Sequence, residues 1–324
     1  MVNSPTSLSS DFIRQINMNQ DNSIQRSFMP GDKWLTYKLY TGVKTSEQFL
    51  MEIIQPMVLE LESKDIIEKW FFIRYSDPDF HLRIRFLLKD NNHIGWLFKY
   101  FSEACRAYFN DEKIWKVQVD TYNRELERYG SSGMVLSESI FCIDSHSAIE
   151  IISTLDSYEL DEHRWKIVLK LVDQLLNCFN YSIIHKYNLI SELKDVFGNE
   201  FGMNKPLKVQ LDSKFRRERE EIVIILEDDE NQPDYLEKCN QLIHDRIQPL
   251  KTVLNSLIEL DKQDQLDVVL DRICKSYIHM LCNRFFRSRQ RNHEFVIYYM
   301  LFKYYKSKVA IQKSKNKQVF LSQL

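Results

Sequence analysis

The sequence predicts an α+β protein, with an antiparallel sheet of β-α-β-β-α-β order in the N-terminal half packed against a mostly helical C-terminal half. Three observations carry this. Aromatic and β-branched runs at 34–40, 69–75, 81–88 and 114–122 are separated in the pattern by two stretches of helical spacing. After Gly133 the spacing turns helical, and no glycine follows Gly202. The chain has 324 residues and is 44% apolar, enough for a sizeable core.

Residues 1–28, rich in Ser, Asn and Gln, are expected to form a flexible N-terminal arm, and 29–324 a single domain. Trp34–Tyr40 is the first strand. Gly42 turns the chain, and Thr45 begins a helix with Phe49, Ile53, Met57 and Leu61 on one stripe. Lys69–Tyr75 and His81–Leu88 read as a hairpin about the turn Asp77-Pro78-Asp79. Residues 93–109 read as helix and Ile114–Tyr122 as the fourth strand. This is the ferredoxin-like split unit, with two helices on one sheet face and the other face needing a cover or carrying a site. It occupies 29–133. Within 134–324, helical spacing marks 145–156, 161–180, 187–197, 211–226, 235–259, 264–284 and 292–306, with an acidic break at Asp228–Asp234. Residues 284–317 hold ten Lys and Arg against one acid, Glu294.

Composition excludes several classes. Lys+Arg number 44 and Asp+Glu 46, a net charge of −2, which argues against coating nucleic acid. Seven glycines, with neither GxGxxG nor GxxxxGK[ST], disfavour nucleotide-cradling loops. Six cysteines never form CxxC, so reduced thiols in a cytoplasmic protein are expected rather than zinc or disulfides. No apolar run has transmembrane length, and no signal-peptide pattern opens the chain. No cofactor or metal is called for.

Three constellations carry chemistry. In a strand His81, Arg83 and Arg85 share a face at roughly 6.6 Å intervals, a spacing suited to an anionic ligand. The plainer reading is the wet face of a half-exposed sheet. Arg124 and Arg128, four apart and interleaved with Glu125 and Glu127, read by themselves as a charged helical turn whose Arg and Glu pair across the surface. His279 and Asn283 lie one helical turn apart, so Asn283 could orient the imidazole, with Arg284 adding charge; a core-flanking histidine is the commoner case. No second His stands at metal-binding spacing, and Ser137-Glu138-Ser139 lacks GxSxG context.

In this order, Trp34–Tyr40, Trp70–Tyr75, His81–Phe86, Tyr122-x-Arg124-Glu125-x-x-Arg128-Tyr129-Gly130, Met134–Ser145 and His279-Met280-x-x-Asn283-Arg284 resemble the C-terminal elimination domain of class I lanthipeptide dehydratases, also found as a separate chain in thiopeptide-type bacteriocin biosynthesis. The resemblance runs from about residue 32 to about 305. It implies a lyase that removes glutamate from glutamylated Ser or Thr of a precursor peptide, giving dehydroalanine or dehydrobutyrine. Arg83, Arg85, Arg124 and His279 then fall on the elimination residues, with His81, Arg128, Asn283 and Arg284 binding substrate. A separate glutamyl-tRNA-dependent protein is expected to supply the ester, and a homodimer is compatible. The alternatives are a pyridine-forming cycloaddition enzyme of the same fold and a non-catalytic partner of a larger dehydratase.

Overall fold

The structure, a computed structural model, describes residues 24–155, 157–227 and 230–322. Residues 1–23 of the expected arm and Asp228–Asp229 of the acidic break lie outside the described residues. The end of that arm forms β1 (Ser27–Phe28), which pairs antiparallel with β6 (Tyr122–Asn123).

The main sheet comprises β2 (Trp34–Thr41), β3 (Ile67–Ser76), β4 (Phe80–Leu88) and β5 (Ile114–Asp120), in spatial order β3-β4-β2-β5 and antiparallel throughout. This is the order the split β-α-β-β-α-β unit requires. The expected fourth strand stops at Asp120, and Tyr122 turns away to pair with β1.

After β2, α1 (Val43–Phe49) passes through a π-helical turn (Leu50–Ile54) into α2 (Gln55–Ser63). Pro56 has no N–H to close an i−4 bond onto Glu52, which accounts for the widened turn just before it. α3 (Ile94–Asn110) buries Leu97, Phe101, Cys105 and Tyr108, one face at helical spacing. Phe101 stacks on Tyr37 of β2 with ring centroids 3.8 Å apart. The sheet face beneath carries Leu35, Tyr37, Leu39, Leu82, Ile84 and Phe86, all buried. Each such side chain contributes about 1.5–3 kcal/mol by leaving water.

The opposite face carries Trp34, Thr36, Lys38, Tyr40, His81, Arg83 and Arg85, since register sets Thr36 against Arg85, Lys38 against Arg83 and Tyr40 against His81. The C-terminal half covers it. A short α4 (Leu126–Tyr129) leads through Gly130 and Gly133 into α5 (Met134–Thr154); a Cβ at Gly133 would collide with the Tyr129 carbonyl oxygen. Then follow α6 (Ser157–Cys178), α7 (Ile183–Glu200), α8 (Lys205–Glu227), α9 (Asp234–Lys262), α10 (Leu270–Phe285) and α11 (Gln290–Ser322). The expected 264–284 helix begins at Leu270 instead, because Asp264 takes a positive φ after α9 and ends it.

β3 is an edge strand, and the helices close its outer edge. The Phe72 N–H donates to Ser145 Oγ on α5, while Asn283 on α10 accepts from the Arg74 N–H (2.8 Å) and donates to the Arg74 carbonyl (2.9 Å). Beside this seam the Arg74 guanidinium reaches Ser46, Glu47 and the Arg284 carbonyl, and Glu47 also accepts from Arg164 and Arg287. Burial alone would raise the Glu47 pKa; the Arg164 hydrogen bond and the charges of Arg74, Arg164 and Arg287 outweigh it and hold the carboxyl below the usual range.

Glu47→Gln leaves three guanidiniums without their common anion, and breaking such a buried pairing costs about 3–5 kcal/mol, visible as a lower urea midpoint. A carboxyl whose folded pKa is depressed adds stability above its unfolded pKa, about 4.3, and loses it as pH falls through the lower folded value. Wild-type stability should therefore drop on acidification below about pH 4.3, and the gap between wild type and Glu47→Gln should narrow there.

Candidate active site

The polar sheet face gathers its cations around β4. His81 is fully buried; its Nδ1 lies 2.8 Å from the Asp79 carbonyl, so that nitrogen carries the proton and donates. Its Nε2 accepts from Arg83 Nε at 3.1 Å. Burial lowers the His81 pKa, the Asp79 carbonyl opposes that, and the charges of Arg83 and Lys38 add to it, so the ring is neutral at pH 7 and available as an acceptor. The Arg83 guanidinium lies over Tyr75, 3.7 Å from the ring centroid, half-buried and in no ion pair among the described residues. Beside it Lys38 pairs with Asp120 at 2.5 Å.

Arg85 is held differently. Its guanidinium is buried between Phe71 (5.1 Å) and Tyr122 (4.7 Å), its Nε has no hydrogen-bond partner, and it joins no ion pair among the described residues. Burial lowers its pKa, while Tyr122, Glu125 and Glu138 favour the charge and Arg83 opposes it. Behind it lies Arg284, also buried. Its Nε donates to Ser145 Oγ at 3.0 Å and its Nη1 to the Met280 carbonyl at 3.0 Å, while Nη2 has no partner among the described residues. Burial, with the Arg85 charge among the other causes, brings the Arg284 pKa down to about 10, so it stays charged at neutral pH. Trp34 Nε1 and Thr36 Oγ1, on the same sheet face, are likewise buried without partners among the described residues.

Arg124 is committed elsewhere. Its Nε and Nη2 donate to the two oxygens of buried Glu138, both at 2.7 Å, and Nη1 donates to the Gln25 carbonyl. Tyr122 Oη donates to the same carboxylate at 2.9 Å. This pair therefore fixes the ring on which Arg85 stacks. Arg128 forms an exposed pair with Glu125 at 3.0 Å.

His279 stands on α10, one turn before Asn283. Its Nδ1 lies 3.1 and 3.2 Å from the two oxygens of Glu294, a fully buried carboxylate on α11, and its side chain is 33% exposed. Asn283 makes no hydrogen bond to the imidazole among the described residues. Its amide is taken by the Arg74 backbone and by Gln290 Oε1. The anchor still bears on the site, because Arg74 follows Ile73, the cross-strand partner of Arg83.

The structure thus brings His81, Arg83 and Arg85 to one sheet face, with Arg284 of α10 near enough to Arg85 for the two charges to oppose each other. It joins neither His279 nor Arg124 to Arg83 or Arg85 by a hydrogen bond or ion pair among the described residues. Glu138 and Glu294 were not singled out as site residues from sequence. The findable signal for Glu294 is the stripe Gln290, Glu294, Tyr298, spaced by four on one helix face.

Comparison with known proteins gives the following. The family model for the lantibiotic biosynthesis dehydratase C-terminal region matches residues 34–305. Nisin biosynthesis protein NisB of Lactococcus lactis subsp. lactis is 30% identical over 181 residues, 52% of this chain and 17% of that protein. Epidermin biosynthesis protein EpiB of Staphylococcus epidermidis is 24% identical over 82% of this chain and 25% of its own length. Subtilin biosynthesis protein SpaB of Bacillus subtilis is 25% identical over 85% and 26%. The chain therefore spans about a quarter or less of these relatives. Among solved structures, the tRNA-dependent lantibiotic dehydratase MibB from Microbispora sp. 107891 superposes with a TM-score of 0.63 at 17% identity, over 91% of this chain and 29% of MibB. The pyridine synthase TbtD from thiomuracin biosynthesis superposes with a TM-score of 0.56 at 12% identity, over 86% of this chain and all of TbtD. At these identities the two structures speak for the fold.

The arginines should separate in urea titrations. Arg124→Lys loses the two-pronged grip on Glu138 and should destabilise by about 1.5–3 kcal/mol. Arg83→Ala, half-buried and in no ion pair among the described residues, loses one hydrogen bond to His81 Nε2 and its place over the Tyr75 ring and should cost less, about 0.5–1.5 kcal/mol.

Proposed function

The chain belongs to the lantibiotic biosynthesis dehydratase C-terminal family, and on that premise we propose that it eliminates glutamate from glutamylated Ser and Thr of a ribosomally made precursor peptide. The observation that carries this reading is the pair Arg83 and Arg85. They share one face, neither forms an ion pair with a carboxylate among the described residues, and the buried Arg85 has a donor without a partner there. A buried guanidinium without a counter-ion is costly to hold, which suits a site that takes an anionic group.

β-Elimination makes such a demand. A base takes the α-proton of the modified residue, and the C–H electron pair becomes the Cα=Cβ bond. The Cβ–O bond breaks, and the oxygen departs as a carboxylate of glutamate. Negative charge grows on the departing oxygen, where Arg83 and Arg85 stabilise it more in the transition state than in the ground state. His279, with Nε2 unpartnered among the described residues, is the group assigned to the proton. Arg124 acts from behind, by fixing Tyr122 against Arg85. Arg128 lies at the exposed margin and contacts the peptide. The ester is supplied by a glutamyl-tRNA-dependent activity, in another protein or in another part of a longer chain.

A second reading, pyridine formation from two dehydroalanines, draws support from the alignment with the pyridine synthase over its full length. One assay separates the two. On a synthetic glutamyl-Ser peptide the protein should release glutamate and leave dehydroalanine. Turnover only of a peptide bearing two dehydroalanines would select the second reading, and binding without turnover of either would mark a non-catalytic partner. With the glutamylated peptide, Arg83→Ala and Arg85→Ala should each lower the rate about ten- to a hundredfold, and His279→Ala about 10²–10⁴-fold, with glutamylated peptide accumulating in mass spectra.

A further inference from the structure

We infer that Glu294 is the positioning residue of this site: it holds the His279 ring with Nδ1 protonated and so presents Nε2 as the basic nitrogen. The role in catalysis rests on the elimination reading above; the tautomer does not. Glu294 Oε1 accepts from Gln290 Nε2 at 2.7 Å, and Oε2 accepts from Tyr298 Oη at 3.0 Å. Both oxygens face His279 Nδ1. Tyr298 is fully buried, and burial pushes its pKa well above the ordinary value, so its hydroxyl keeps its proton and donates. Gln290 and Tyr298 thus donate to one oxygen each, a setting that suits an ionised, acceptor-only carboxylate facing the ring. Nδ1 must then be the nitrogen that bears hydrogen, and Nε2 carries the lone pair.

The same stripe fixes where the ring stands. Gln290 also donates to the His279 carbonyl at 3.2 Å, and its Oε1 accepts from Asn283, whose amide is clamped to the Arg74 backbone. Tyr298, Glu294, Gln290 and Asn283 therefore form a continuous hydrogen-bonded path from the imidazole to the β3 edge next to Ile73, the partner of Arg83. Ring tautomer and ring placement relative to the arginine face are set by one connected group of side chains. Replacing a carboxylate that holds a histidine tautomer has cost about 10⁴ in kcat in the serine-protease case.

The test is nitrogen NMR of the ring in substrate-free protein near pH 8, with His279 identified by its loss in His279→Ala. Wild type should show a protonated Nδ1 and an unprotonated Nε2, while Glu294→Gln should lose that preference. In the glutamyl-peptide assay Glu294→Gln should lower kcat about 10²–10⁴-fold while KM stays within about threefold. A wild-type ring protonated at Nε2 overturns the inference, as does a Glu294→Gln variant that keeps both tautomer and kcat. The wild-type spectrum decides the tautomer even where the variant does not fold. A protein that shows the Nδ1–H ring yet releases no glutamate overturns the elimination reading and leaves the tautomer assignment in place.

Discussion

The clamp of Asn283 on the backbone of Arg74 is the contact on which the rest of the site depends. An edge strand presents unpaired N–H and C=O groups that invite another chain. Here one side-chain amide from α10 satisfies both groups of a single residue, and Ser145 takes the Phe72 N–H nearby. The helical half is thereby joined to the sheet at a defined register, over the face where Arg83 and Arg85 project. The Arg74 side chain enters the Glu47 cluster, where Glu47 of α1 also accepts from Arg164 of α6 and Arg287 of the segment after α10. Movement of α10 along β3 would break both sets at once.

The interior contains many arginines, and their partners divide their work. Arg74, Arg124, Arg164 and Arg246 each lie against a buried carboxylate. Those pairs fix geometry, and removing one partner leaves an uncompensated buried charge. Arg83 and Arg85 have no such partner among the described residues, and Arg85 feels the charge of Arg284, whose Nη2 is also without a partner there. What sets these apart is the absence of a neutralising carboxylate rather than the residue type, since a guanidinium already locked bidentately to Glu138 has little left to offer a substrate.

The sheet was legible from sequence because its strands are short, aromatic and bounded by Gly42, Pro78 and the turns, and because period-two alternation separates His81, Arg83 and Arg85 from Leu82, Ile84 and Phe86. α5 was read only from residue 145, eleven residues late. Its apolar residues and buried serines run around the whole helix, so no stripe forms, and Ser137, Ser139 and Ser145 satisfy their hydroxyls on their own backbone carbonyls one turn back. The histidine was legible as a candidate, but its partner was not. Glu294 belongs to the next helix, and a sequence shows neighbours at i+4 far better than a contact formed across a helix–helix interface. Arg124 and Arg128 look equivalent as a pair; only the fold shows that one is sealed against Glu138 and the other lies at the surface.

The alternation along β4 also constrains how this chain can change in length. Gain or loss of a single residue between the hairpin turn and Phe86 would exchange the two faces of the strand. His81, Arg83 and Arg85 would then point under α3, against Tyr37 and Phe101, while Leu82, Ile84 and Phe86 would line the polar face. Insertions among homologous sequences should therefore collect in the loops beyond the strands, or come as pairs of residues, and β4 should keep its length.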